Sequence, residues 1–201
     1  MGLPATQRRY TVEEYLRREA AAVDKHEFHE GEILAMSGGT YEHSLIAANL
    51  VGALWSRLRN SRCRALESNM RVRVPPTDRY VYPDATIVYG QPQFDPQDPN
   101  CTTIINPRVI FEVLSESTEA YDRGAKFTRY REIESLEEFV LVSQDRPLVE
   151  AYTRQSGGTW LFEASSGVDV VAALRALQIS LPLSEIYADI QFPPSNDVKT
   201  E

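Results

Sequence analysis

Arg108-Val-Ile-Phe-Glu-Val-Leu114 is the stretch on which the fold turns. It reads as a strand, and strand side chains alternate. Ile110, Glu112 and Leu114 therefore share one face, while Val109, Phe111 and Val113 share the other. Glu112 stands in an otherwise apolar run. A buried, unpaired carboxylate is expensive, so it needs a partner or a metal. Upstream, Val81 to Tyr89 reads as another strand, and it places Asp84 among Val81, Ile87 and Val88. Lys126 follows on what reads as a helix running to about Ile133. Two carboxylates ending adjacent strands, with a lysine nearby, can hold a divalent cation over a phosphodiester. Mg²⁺ favours carboxylates and water and usually binds through only one or two protein carboxylates. The ion polarises a phosphoryl oxygen and activates water, and an ammonium group stabilises developing negative charge. The same residues also suit a metal-free buried ion pair of Asp84 or Glu112 with Lys126 or Arg123.

Working outward, Thr11-Val-Glu-Glu14 has the form of a capping box opening a short helix through Glu19. Residues 26–36 read as a hairpin turning at Glu30-Gly31. Gly38-Gly39 then breaks the chain before a helix over about 42–59, in which Leu45, Ile46, Leu50, Leu54 and Leu58 recur at helical spacing. One long strand is expected from Cys63 to Val74, ending at Pro75-Pro76. Residues 90–107, with four prolines and two asparagines, read as a loop. Strands follow at 138–143, 148–154 and 159–164, the last two joined at Gly157-Gly158. A short helix near Leu183–Tyr187 closes the fold, and the segment 191–201 reads as a disordered tail. The expectation is a mixed α/β (α+β) fold over 1–190 in one domain.

With 201 residues, 42% hydrophobic and 25% charged, the chain suits one folded domain rather than a disordered one. No apolar run approaches a membrane span, and the N-terminal residues lack a hydrophobic signal core. Cys63 and Cys101 fit no metal-ligand spacing, so a reduced cytoplasm is the expected location, with no membrane partner. The net charge of −8 argues against a general nucleic-acid binder. Between Arg57 and Arg79, however, seven arginines face two acids, a local balance of +5. That segment reads either as a phosphate-contact face, carried by Arg57, Arg59, Arg71 and Arg73, or as solvated surface. Dinucleotide-binding, Walker A and nucleophile-elbow motifs are absent.

Several ordered motifs resemble a family. They are Tyr10-Thr-Val-Glu-Glu-Tyr15, His26-Glu27 with Gly31-Glu32, a His43-Ser44 helix start, Tyr82-Pro-Asp84, and Phe111-Glu-Val-Leu-Ser115. Ser117-Thr118, Tyr121-Asp-Arg-Gly124, Lys126 and Tyr130 continue the series. Over roughly Tyr10 to Tyr187 the chain resembles the Uma2 family of restriction-endonuclease-like proteins, of the PD-(D/E)XK nuclease superfamily. The resemblance implies a mixed central sheet flanked by helices, with an N-terminal helix and hairpin and a metal site at a strand bend. Asp84 and Glu112 would be the metal ligands. The third signature position holds Leu114 rather than lysine, and the resemblance implies that Lys126 takes over that role from the following helix.

Further candidates are auxiliary. Asp122, Lys126 and Tyr130 fall at i, i+4 and i+8 on one helical stripe. Asp122 suits a cap or a pair with Lys126, and Tyr130 suits packing. His43, on the helix face turned to the sheet, suits a phosphate contact, proton transfer or a cap. Glu27 reads as a third site carboxylate or as an exposed hairpin acid. His26 and His29, beside these acids, lack the ligand spacing of structural zinc. The leading expectation is a Mg²⁺-dependent (or Mn²⁺-dependent) endonuclease acting on DNA, working as a homodimer because two strands need two sites. The alternative is a catalytically inactive nuclease fold serving as a binding or assembly module.

Overall fold

The computed structural model describes residues 8–36, 38–115 and 122–192, of Asp122 the backbone alone. Ser117-Thr118, Tyr121, the Asp122 side chain and most of the 191–201 tail therefore lie outside the described residues.

Helix α1 (Val12–Glu19) starts with the expected capping box. Thr11 Oγ1 accepts the Glu14 amide at 3.1 Å, and the Thr11 amide donates to Glu14 Oε2 at 2.9 Å. Strands β1 (His26–His29) and β2 (Glu32–Ala35) form the hairpin, turning at Glu30 (φ 51°) and Gly31 (φ 101°). Helix α2 (Tyr41–Leu58) buries Ile46, Leu50, Leu54 and Leu58 of the stripe that the periodicity marks, with Ala53 added and Leu45 only half-buried.

The expected strand 63–74 is two strands, β3 (Cys63–Glu67) and β4 (Arg71–Val74), in different sheets. Between them the Met70 amide closes a turn onto the Glu67 carbonyl at 3.1 Å, and Lys25 Nζ holds the Ser68 carbonyl at 2.9 Å. The strand expected over 81–89 is also split, into β5 (Arg79–Val81) and β6 (Ala85–Tyr89). Pro83 has no amide hydrogen with which to continue a ladder. Part of the 90–107 loop is ordered as a short strand, β7 (Thr103–Ile104), parallel to β4.

The remaining strands are β8 (Pro107–Leu114), β9 (Glu138–Ser143), β10 (Leu148–Arg154), β11 (Trp160–Ser166), β12 (Val171–Leu174) and β13 (Ile179–Pro182). The pair β12–β13 has no counterpart in the sequence reading. The expected helix to Ile133 is shorter among the described residues. A π-type turn over Asp122–Lys126 leads into α3 (Phe127–Tyr130), and α4 (Leu183–Ile186) comes last.

Two larger sheets result, in the orders β2-β1-β5-β4-β7 and β11-β10-β9-β8-β6-β3, beside the β12–β13 pair. In the six-stranded sheet only β8 and β9 run parallel, and the crossover between them carries α3. One face of β8 (Val109, Phe111, Val113) packs in a core with α2 and α4. Ile110 and Leu114, on the opposite face, pack with Tyr130, Ile133 and Leu136 and with Val72, Val74 and Ile104 of the smaller sheet. Glu112 belongs to that second face. A third cluster, Tyr15, Leu16, Phe28 and Tyr80, seats α1 on the smaller sheet. No helix among the described residues is long and apolar enough to cross a membrane.

Candidate active site

The chain crosses from the smaller sheet to the larger one at Tyr82-Pro83-Asp84, and a cavity of about 690 Å³ opens beside the crossing. Its lining includes Asp84, Glu112 and Lys126, together with Glu27 and His43. Residues far apart in sequence thus meet in one place.

Asp84 precedes β6 and Glu112 lies in β8. The antiparallel register ends with Ala85 opposite Phe111, and Asp84 and Glu112 each stand one residue beyond that pair. Like charges brought to one end of a ladder repel, which makes this a place that favours a cation. Asp84 also continues the ladder in another form. Its Oδ2 accepts the Val113 amide at 2.7 Å, satisfying a β8 donor beyond the last β6–β8 pair. His43 Nε2 lies 3.5 Å from the same oxygen.

Glu112 is 4% exposed and has two partners on the π-type turn and α3. Lys126 Nζ is 2.8 Å from Oε2, and the Tyr130 hydroxyl donates to Oε1 at 2.8 Å. Two members of the expected helical stripe thus grip a single carboxylate, so Tyr130 does more than pack. Leu114, at the signature position where a lysine is usual, is buried in the core. Arg123 turns away to pair with Glu150.

His43 sits in the first turn of α2, where Thr40 Oγ1 caps its amide at 3.2 Å. A Cβ on residue 39 would come within 2.9 Å of the His43 ring nitrogen Nδ1. Glycine at 39 leaves the imidazole its place. Glu27 and His29 alternate onto one face of β1 and meet at 2.9 Å. Burial pushes the Glu27 carboxyl up. The hydrogen bond to His29, the charge of Lys126 and the backbone amide of Tyr82 outweigh that and hold it below its usual value. Glu27 is thus a part of the cavity wall kept ionised, not a solvated hairpin acid. His26 instead pairs with Glu19, 3.1 Å away.

The four arginines expected to contact nucleic acid are not gathered at the cavity. Arg57 and Arg59 lie near the C-terminal end of α2, about 20 Å along the helix from His43 at 1.5 Å per residue. Arg57 is bound bidentately by Glu185 at 2.6 and 2.7 Å, and Arg59 lies over the Trp55 ring. Arg71 is 3% exposed and paired with Asp98, so its guanidinium is closed to a ligand. Arg73 is paired with Asp95 and Asp78. The sequence reading missed Arg9, Arg129, Ser115 and Gln144 on the cavity wall. They come from four separate segments; Ser115 closes a quoted motif without being read as a site residue, and the other three carry no local motif. Arg79, the last member of the basic run, does line it.

Among the described residues, no three His, Cys, Asp or Glu side chains are grouped to hold a metal ion. The available donors are the two facing carboxylates, hard oxygen ligands of the kind suited to Mg²⁺ or Mn²⁺ rather than to structural zinc.

Comparison with known proteins gives a consistent picture. A solved structure described as "a putative nuclease belonging to DUF820 from Anabaena variabilis ATCC 29413" superposes with a TM-score of 0.69 at 17% identity, covering 89% of this chain and 97% of that one. At that identity the likeness establishes the shared fold. Two proteins of Synechocystis sp., the uncharacterized proteins slr1290 and sll1609, are each 33% identical to the chain. The matches cover 90% and 83% of this chain, and 92% and 93% of the relatives. The sequence model of Uma2, described as "Putative restriction endonuclease", matches residues 12–184. With both sheets, Asp84, Glu112 and Lys126 inside that match, the chain belongs to the Uma2 family.

Proposed function

We propose that the chain is a divalent-metal-dependent endonuclease that hydrolyses DNA phosphodiester bonds in this cavity. One observation carries the reading: Asp84 and Glu112 each lie one residue beyond the last β6–β8 pair and line one cavity, with Lys126 against Glu112. The family description and the description of the structural neighbour point the same way.

Asp84 and Glu112 would hold Mg²⁺ or Mn²⁺, which when bound supplies Lewis-acid polarisation of a phosphoryl oxygen and activation of water. The Val113 amide fixes one Asp84 oxygen, and Tyr130 fixes one Glu112 oxygen, so both carboxylates are oriented before any ligand arrives. Lys126 keeps its ammonium beside Glu112, where it orients the attacking water or stabilises charge on the phosphoryl group. His43 beside Asp84, and the Glu27–His29 pair across the cavity, are placed to accept or return a proton.

A second reading has an observation of its own. Glu112 already has Lys126 and Tyr130 within 2.8 Å, which satisfies the carboxylate without a metal and suits an inactive binding or assembly module. Calorimetric Mg²⁺ titration of wild type, Asp84→Ala and Glu112→Ala, run beside plasmid nicking, separates the two. The nuclease reading expects binding and nicking in wild type and neither in the variants. Wild-type protein that neither binds the ion nor cuts DNA would leave the inactive module standing.

A further inference from the structure

The outer part of the cavity carries a second charged group that the chemistry above does not use. Arg9, Arg79 and Arg129 line it, with Glu30 and Glu32 beside them. These arginines come from the segment before α1, from β5 and from α3. Arg79 Nη2 donates to Glu30 Oε1 at 2.9 Å, and Arg9 Nη1 reaches the Glu30 carbonyl at 3.4 Å. The hydrogen bond and charge of Arg79, followed by the charges of Arg129 and Arg9, hold the Glu30 carboxyl below its usual value. All three cations therefore act on one exposed acid.

Two details show that the cluster is built rather than incidental. Arg79 is 8% exposed, yet its Nε has no hydrogen-bond partner among the described residues. A buried donor without an acceptor is costly, and an anion brings acceptors. Arg9 is laid across the hairpin turn, where the Tyr10 amide bonds the Gly31 carbonyl at 2.8 Å. A Cβ on Gly31 would come within 3.3 Å of Arg9 Cβ, so the bare turn gives the arginine its bed. Arg79 faces His29 directly across the β1–β5 ladder, and both line the cavity that holds Asp84 and Glu112.

We propose that Arg9, Arg79 and Arg129 form a seat for a phosphate of the DNA strand next to the one that is cut. Glu30 fills the seat as an internal acceptor until the strand arrives. Guanidinium forks match phosphate oxygens bidentately, and the seat shares one cavity with the carboxylates, so a strand lying in it meets both. The choice of DNA rests on the endonuclease reading.

The test is fluorescence anisotropy of a short labelled DNA duplex in EDTA, across a salt series, with melting curves for every variant. Arg9→Gln and Arg129→Gln should each flatten the slope of log K against log salt by about 0.9, the value for one lost phosphate contact. Arg79→Gln should do the same where it folds. Glu30→Gln should tighten binding at every salt concentration. Unchanged slopes in folded Arg9 and Arg129 variants, or an unchanged affinity in Glu30→Gln, would overturn the seat. Nicking assays with Mg²⁺ separate the two ideas. Arginine-dependent binding without cutting keeps the seat and removes the nuclease. Cutting without arginine dependence does the reverse, and a wild type that neither binds nor cuts removes both.

Discussion

Asp98 and Glu112 are almost equally buried, at 3% and 4% exposed, and each faces a cation, Arg71 at 3.0 Å and Lys126 at 2.8 Å. Their surroundings differ. Asp98 accepts from the hydroxyls of Thr102 and Thr103 and from the amides of Asn100 and Thr102, as well as from Arg71. Arg71 lies against the rings of Tyr15, Tyr80 and Tyr82, and neither it nor Asp98 lines the cavity. The network ties the 90–107 loop to β4. Glu112 has a second carboxylate, Asp84, just beyond the same end of the β6–β8 ladder, and opens on the cavity. Burial of a paired charge is therefore no mark of function in this molecule. Closure around the pair marks support, and an opening beside a second like charge marks a site.

The sharpest way to break this contrast is to remove each acid. Asp98→Ala leaves Arg71 buried and unpaired and should cost about 3–5 kcal/mol, read as a lowered urea midpoint. Glu112→Gln, where Lys126 can turn to water in the cavity, should cost about 1.5 kcal/mol or less. Equal losses would erase the distinction. For activity the order reverses. Asp84→Asn and Glu112→Gln should each lower Mg²⁺-dependent cleavage on the order of 10³-fold, about 4 kcal/mol of barrier. Asp98→Asn, assayed where it is folded, should cut at the wild-type rate. Lys126→Gln should lose about 10²-fold in kcat, the scale of one removed electrostatic donor. Tyr130→Phe deletes one hydrogen bond to Glu112 and should cost about 1 kcal/mol of stability, with a smaller loss of rate.

The pH response sharpens the contrast further. Burial raises the Asp98 carboxyl, but Thr103, Thr102, the Asn100 amide and Arg71 together bring it down to about 2 from an ordinary 3.8. A depressed carboxyl stabilises the fold above its ordinary value, and the contribution drains away as pH falls through the folded one. Urea midpoints of the wild type should therefore drop between about pH 4 and pH 2. Asp98→Asn should lack that part of the drop.

Where sequence and structure agree, a local signal was strong. The capping box at Thr11, the turn at Gly31, the stripe from Ile46 to Leu58 and the acid in the β8 run each depend on near neighbours. Where they part, the deciding contact is remote. Ser68-Asn69 and Pro83 are local breaks, but nothing near them in sequence tells that the chain changes sheets there rather than continuing in the same one. The basic run looked like one surface because its acids, Glu185, Asp95, Asp98 and Glu30, lie far off in sequence. The pair Asp84 and Glu112 was legible because each interrupts an apolar run. Their coming together at one end of the β6–β8 ladder was not, since it depends on the register.

Lys126 and Tyr130 are carried by a π-type turn and a helix of four residues, whereas the two carboxylates sit at the six-stranded sheet. Over the described residues 122–130 this helical segment is held by the packing of Phe127 and Tyr130 and not by strand pairing. Local opening of such a unit costs less than unravelling the sheet. Heat should consequently silence the protein before it melts it. Amide hydrogens over 122–130 should exchange with solvent well ahead of those in β8, and cleavage should fail at temperatures where the far-ultraviolet signal of the sheets is still whole.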